Sequence, residues 1–182
     1  MRDSVELLLP DSFVHPLFYP KTTTIQFNKR ISFEEEFEKN YFVFDIAATL
    51  LSLDEFNAPW INTKETIPIV FKKWEHQKKG IGSSFQNRDR ASAKIPMIRS
   101  LSYFISCLNW VNEKPVCSLQ NINEMIVRLK YKPINVAERL SFITDNPDHY
   151  HSFIQLSQLF EEFEKQFYKI ESLKKVSPNH PN

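Results

Sequence analysis

The sequence predicts an all-α fold: a single-domain bundle of about six to seven helices behind an irregular N-terminal arm. Three observations carry that expectation. Only two of the 182 residues are Gly while eleven are Pro. Hairpins and nucleotide-binding loops draw on Gly, whereas helices joined at Pro-marked corners need far less. Second, bulky apolar residues recur at three- and four-residue spacing, most clearly from Phe153 to Ile170. Third, helix-start signals such as Ser32-Phe-Glu-Glu35 punctuate the chain. Hydrophobic residues make up 42% and charged residues 25%, enough apolar surface for a core. With 16 Phe, 6 Tyr and 3 Trp, that core is expected to be aromatic-rich.

Residues 1–31 read as the arm. It is interrupted by Pro10, Pro16 and Pro20 and carries the apolar anchors Leu7, Leu8, Phe13, Phe18 and Tyr19. The helical domain is expected over residues 32–175, with a disordered tail at 176–182. Its first helix starts at the capping box of Ser32 and Glu35 and continues to about Leu53. At 100° per residue Phe33, Phe37, Phe44, Ala47 and Leu51 share one side, and Glu34, Glu38, Asp45 and Ser52 the other. Asp45 is therefore expected to be a solvated carboxylate. A helix from 63–66 to about Lys79 follows, with Pro68 in its first turn, the stripe Ile67, Val70, Phe71 and Trp74, and Gly80 as its stop. Ser83 or Ser84 then caps a short polar helix ending at Pro96. From Ile95 to about Val111 apolar residues lie all round, as expected of a central helix. On its less apolar side Arg99, Tyr103, Cys107 and Trp110 form a column. Short helices are expected from Asn121 to about Leu129 and from Asn135 to about Thr144. Asn146-Pro147-Asp148 opens the last helix, which ends near Lys174; Phe153, Leu156, Phe160, Phe163, Phe167 and Ile170 form its stripe. The helices from Ile95 and Pro147 are expected to be the inner pair.

A net charge of +1 provides no global drive toward nucleic acid or membrane. Two cysteines, Cys107 and Cys117, are too few for a disulfide framework. No secretory signal is visible, and the most apolar stretch, Tyr41 to Leu53, is too short to span a bilayer. The expected location is cytoplasmic.

Local charge is more informative. Lys72, Lys73, Lys78, Lys79, Arg88, Arg90, Lys94 and Arg99 stand in one segment against only Glu75 and Asp89. Both glycines of the chain, Gly80 and Gly82, fall inside it, followed by Ser83 and Ser84. A basic, Gly-bearing loop feeding a helix N-terminus would present free amides to an anion. Lys78, Lys79, Gly80, Gly82, Ser83, Ser84, Arg88 and Arg90 are thus the candidate anion-binding residues, although no phosphate-loop motif is present. Tyr103 and Trp110 are candidates for an exposed interaction strip. His149 and His151 lie two apart, about 200° around a helix, so they diverge and no metal site is assigned. No catalytic signature is present, and neither a catalytic residue nor a cofactor is assigned.

Several phrases together resemble the YpoC-like family of small bacterial proteins. They are Thr66-Ile-Pro-Ile-Val-Phe-Lys-Lys-Trp74, Asn109-Trp110 with Lys114-Pro-Val116, Asn135-Val-Ala-Glu-Arg-Leu140, and His149-Tyr-His-Ser-Phe-Ile-Gln-Leu156 with Leu159, Phe160 and Glu162. The resemblance implies a cytoplasmic protein of Gram-positive bacteria and carries over no catalytic residue. The function expected is a non-catalytic binding or adaptor protein with a basic anion-binding face, engaging a protein or a phosphate-bearing ligand and no membrane. The alternatives are a nucleic-acid-binding protein and a metal-dependent hydrolase using His149.

Overall fold

A computed structural model describes residues 4–176. The expected tail lies outside the described residues except for Val176, which ends the last helix.

The arm departs first from an all-α fold. Strand β1 (Ser4–Leu8) pairs antiparallel with β2 (Thr24–Asn28), placing Val5 opposite Phe27 and Leu7 opposite Ile25. The protein is therefore mostly helical rather than all-α. Residues 24–28 alternate in strand fashion, and Leu7, Ile25 and Phe27 turn into the core while Leu8 stays exposed. The shortage of Gly misled because this pair needs no tight turn. Residues 9–23 join the strands through a 3-10 turn at Asp11–Phe13 and a bridge between His15 and Tyr19.

Helix α1 (Phe33–Lys39) is capped as expected, Ser32 Oγ accepting from Glu35 N at 3.2 Å. The single helix predicted to Leu53 is instead broken. Asn40 is extended, Phe42 has φ 52°, and α2 (Val43–Leu50) restarts on a new phase. A left-handed Phe is uncommon and needs support from its surroundings. Here the Phe42 ring is buried with Phe18 edge-on at 5.0 Å, and Tyr19 Oη donates to Tyr41 O at 2.8 Å. The arm thus holds the break in place. A full capping box that sequence reasoning overlooked, Ser52 with Glu55, opens a 3-10 turn at Leu53–Glu55.

Helix α3 (Thr63–Gln86) runs past Gly80 and Gly82, and α4 (Arg90–Val111) contains Pro96 in its interior. No short helix separates them. The chain turns at 87–89, where Arg88 has φ 57° and Asp89 caps α4 by accepting from Ser92 N at 3.0 Å. Pro68 lies beyond the first turn of α3. Helices α5 (Ile122–Val127) and α6 (Val136–Asp145) follow, then α7 (Tyr150–Val176), which starts three residues after Pro147. Asn146 closes α6 rather than opening α7.

Nearly every residue of α4 from Met97 to Val111 is buried, as a central helix requires. Its most extensive partner is α3, with α7 packing on both. The stripe Phe153, Leu156, Phe160, Phe163, Phe167 and Ile170 is buried throughout. Trp74 stacks on Phe160 with centroids 4.6 Å apart, and Phe104 meets Phe160 and Phe163 edge-on. A second aromatic group, Phe33, Phe37, Phe44 and Trp60, surrounds Trp110 under the first two helices, with Phe56 behind it against Phe44 and Trp60. Lys73 of α3 reaches Glu34 at 3.1 Å and Glu38 at 2.5 Å, tying α1 to the bundle. Among the described residues no helix is long and apolar enough to cross a membrane.

Candidate binding site

The Gly-bearing loop proposed from sequence does not form. Gly80 and Gly82 sit inside α3, with the amides of Ser83 and Ser84 committed to the helix and Ser84 Oγ donating back to Gly80 O at 3.2 Å. No helix starts there, so there are no free amides for an anion. Interior Gly is tolerated because α3 is held by its packing rather than by propensity. The surrounding cations are partly engaged: Lys78 lies 3.7 Å from Glu75, and Arg90 pairs with Asp148 at 2.9 Å. Lys79 and Arg88 are exposed. The nearby helix N-terminus is already filled by the Asp89 carboxylate.

Tyr103 and Trp110 are buried, so they form no surface strip. Tyr103 stacks on Phe37 at 4.6 Å, and burial pushes its hydroxyl up to about 12. Arg99, at the outer end of their column, lies 4.0 Å over the Tyr41 ring. His149 is half-buried and His151 exposed, the latter 3.4 Å from Gln155. Among the described residues no three His, Cys, Asp or Glu side chains are grouped to hold a metal.

Asp45 is the residue that sequence reasoning misplaced most. The helix break rotates it inward until it is fully buried, not solvated. Its Oδ1 accepts from Trp110 Nε1 at 2.9 Å and from Val116 N at 2.8 Å, while Oδ2 accepts from Ser106 Oγ at 3.3 Å. Burial pushes its pKa up to about 7, against the opposing pull of the Trp110, Val116 and Ser106 hydrogen bonds. One carboxylate thus pins α2, α4 and the segment after α4. The available signal was an ionisable residue within the most apolar stretch of the chain.

Val116 lies on the path from α4 to α5, and beside that path lies a basic recess. A groove of about 330 Å³ is lined by Lys114, Arg128, Lys130, Tyr131 and Lys174, with Glu113 as its acidic member. Local structure places these groups. Glu113, at φ 60°, turns the chain after α4, and Asn112 Nδ2 and Oδ1 bond Tyr131 O at 2.8 Å and Tyr131 N at 2.9 Å. That paired bond fixes the α5–α6 connection against the end of α4. Lys174 is balanced by Glu113 at 3.0 Å and Glu171 at 3.6 Å. Lys132 donates to Val127 O and Leu129 O at the C-terminal end of α5. By contrast Lys114, Arg128 and Lys130 are exposed and have no ion pair among the described residues; Lys130 Nζ lies 4.8 Å from the Tyr131 ring centroid. The C-terminal dipoles of α4 and α5 partly offset these charges. Sequence reasoning missed the groove because its cations come from three separate segments.

A family model described as YpoC-like protein matches residues 64–175, which include the whole lining of this groove. The chain is 34% identical over 117 residues to a Bacillus subtilis (strain 168) protein described as uncharacterized protein YpoC, covering 63% of this chain and 70% of that one. No solved structure matches the chain.

Proposed function

The chain belongs to the YpoC-like protein family, and on that premise we propose that it is a non-catalytic cytoplasmic binding protein taking a phosphate-bearing ligand in the groove between α4 and the α5–α6 connection. One observation carries the reading: Lys114, Arg128 and Lys130 surround a preformed recess without carboxylate partners. Leaving three cations unpaired around one recess is unfavourable unless solvent or an anion answers them. Arg128 supplies a guanidinium that can bond two phosphate oxygens together, and the lysines act as mobile point charges. The Asn112–Tyr131 clasp preorganises the groove, which lowers the ordering cost of binding. At about 330 Å³ it lies at the small end of ligand pockets, the size of a nucleotide unit rather than of a folded partner.

Fluorescence anisotropy with a labelled single-stranded oligonucleotide over a salt series tests this, with inorganic pyrophosphate as competitor. Three phosphate contacts give a slope of log affinity on log salt of about −2. Lys114→Glu/Arg128→Glu/Lys130→Glu is expected to abolish binding, whereas Lys78→Glu/Lys79→Glu/Arg88→Glu leaves it nearly unchanged. Displacement by pyrophosphate indicates recognition of the phosphate itself. Resistance to pyrophosphate with steep salt dependence favours an extended nucleic-acid strand. Salt-independent binding, or equal loss in both triple variants, contradicts the assignment.

A further inference from the structure

The α2–α3 connection presents a surface of the opposite electrical character. A cleft of about 530 Å³ opens there over Phe33, Phe56 and Ala58. Phe56 and Ala58 are buried, whereas Leu53 and Ile61 at the cleft are 49% and 70% exposed. Two carboxylates share the lining, Asp54 and Glu65, both exposed and both without a hydrogen-bond or ion-pair partner among the described residues. Their neighbours differ: Glu55 is paired with Lys29, and Lys64 lies 3.8 Å from Glu171. The floor is closely packed, with Phe56 edge-on against Phe27 at 5.4 Å and Trp60 at 6.5 Å.

An apolar floor, exposed apolar lips and two unanswered carboxylates define the complement. Anionic ligands, nucleic acid and acidic lipid headgroups are repelled by Asp54 and Glu65. An uncharged ligand would fill the floor and leave both carboxylates unused. We propose that this cleft docks a basic peptide segment of a partner protein, seating one Phe or Leu side chain over Phe56 and pairing flanking Lys or Arg with Asp54 and Glu65. The apolar anchor supplies most of the affinity, and the exposed ion pairs supply steering and salt dependence. Only Glu65 and Thr66 of this lining fall within residues 64–175, so the surface belongs mainly to the part of the chain outside the family match. It stands independently of the basic groove, and together the two surfaces would let one chain bridge an anionic ligand and a basic peptide.

The test uses the full chain and two fluorescein-labelled peptides, one with a central Phe-Leu flanked by two Lys on each side, the other with Glu in place of every Lys. The basic peptide is expected to bind at low ionic strength and the acidic one not to. Asp54→Lys/Glu65→Lys is expected to weaken binding about tenfold or more, since two exposed pairs are removed and reversed. Ile61→Ser tests the lip independently and is expected to weaken binding of the basic peptide without altering its salt dependence. All substituted positions are exposed, and unchanged thermal unfolding confirms that the variants are folded. Equal binding of both peptides, binding of neither, or no effect of the charge reversal overturns the proposal. So does a concentration-dependent dimer in sedimentation velocity that the same charge reversal dissolves, which would assign the cleft to a second copy of the chain.

Discussion

Replacing Asp45 by Asn probes the buried clamp without removing its shape. The Asn carbonyl can keep both Oδ1 contacts, those from Trp110 Nε1 and Val116 N, while its amide faces Ser106 Oγ, which can accept. What changes is the titration. The pKa of Asp45 rises from an ordinary value of 3.8 to about 7 on folding. Between those values the folded protein holds a proton that the unfolded chain releases, so stability falls as pH rises through the window. Below the unfolded pKa the contribution is fully present, and above the folded pKa it is gone. A gap of that size corresponds to roughly 4 kcal/mol across the window. Urea denaturation of wild type and Asp45→Asn, from about pH 4.5 to about pH 8, measures it as a difference, so groups common to both proteins cancel. Wild type is expected to lose ground steadily to the variant until about pH 7 and then to run parallel with it. Parallel profiles across the whole range would refute the reasoning, because Asp45 would then titrate alike in both states.

Further expectations concern stability and reactivity. Gly80→Ala should stabilise the protein by about 1 kcal/mol by chemical denaturation, because the position is helical and an added Cβ meets nothing within 4 Å. Destabilisation there would mean that the segment is not helical. Trp110→Phe strips the indole donor from the Asp45 carboxylate and should cost about 1–3 kcal/mol, growing larger above pH 7 where Asp45 is charged. Cys117 is exposed, while Cys107 is buried with its thiol pushed up by that burial. A thiol-specific chromogenic reagent should therefore titrate Cys117 rapidly in the native protein and reach Cys107 only in denaturant. Phe104→Ala opens the interface of α4 with α7 and should cost about 3–5 kcal/mol.

Where side-chain spacing alone determines burial, the fold was legible. The seam of α7 lies inward because its rings recur at three and four residues over an unbroken helix, and α4 lies at the centre because apolar groups surround it. Phasing failed across the break at 40–42. Counting 100° per residue from Ser32 places Asp45 outward, but the left-handed turn at Phe42 resets the rotation, and what holds that turn is the distant ring of Phe18. The hairpin was hidden because its long connection replaces the Gly turn that would have advertised it. Gly80 was misread because a helix stop and a tolerated interior Gly look alike in sequence; the difference lies in the packing of α3 on α4 and α7. For the binding groove no local pattern existed to read. Its cations stand at 114, 128, 130 and 174, and the burial of Val116, Ile126 and Leu129 together with the hydrogen bonds between Asn112 and Tyr131 brings the first two of those segments together.

Chemical-shift mapping of the isotope-labelled chain during titration with inorganic pyrophosphate tests the groove assignment most directly. Saturable shifts confined to residues 112–117 and 128–132 and to Lys174 are the result expected. Shifts centred on residues 78–90, or uniform weak changes over all exposed lysines, would contradict it.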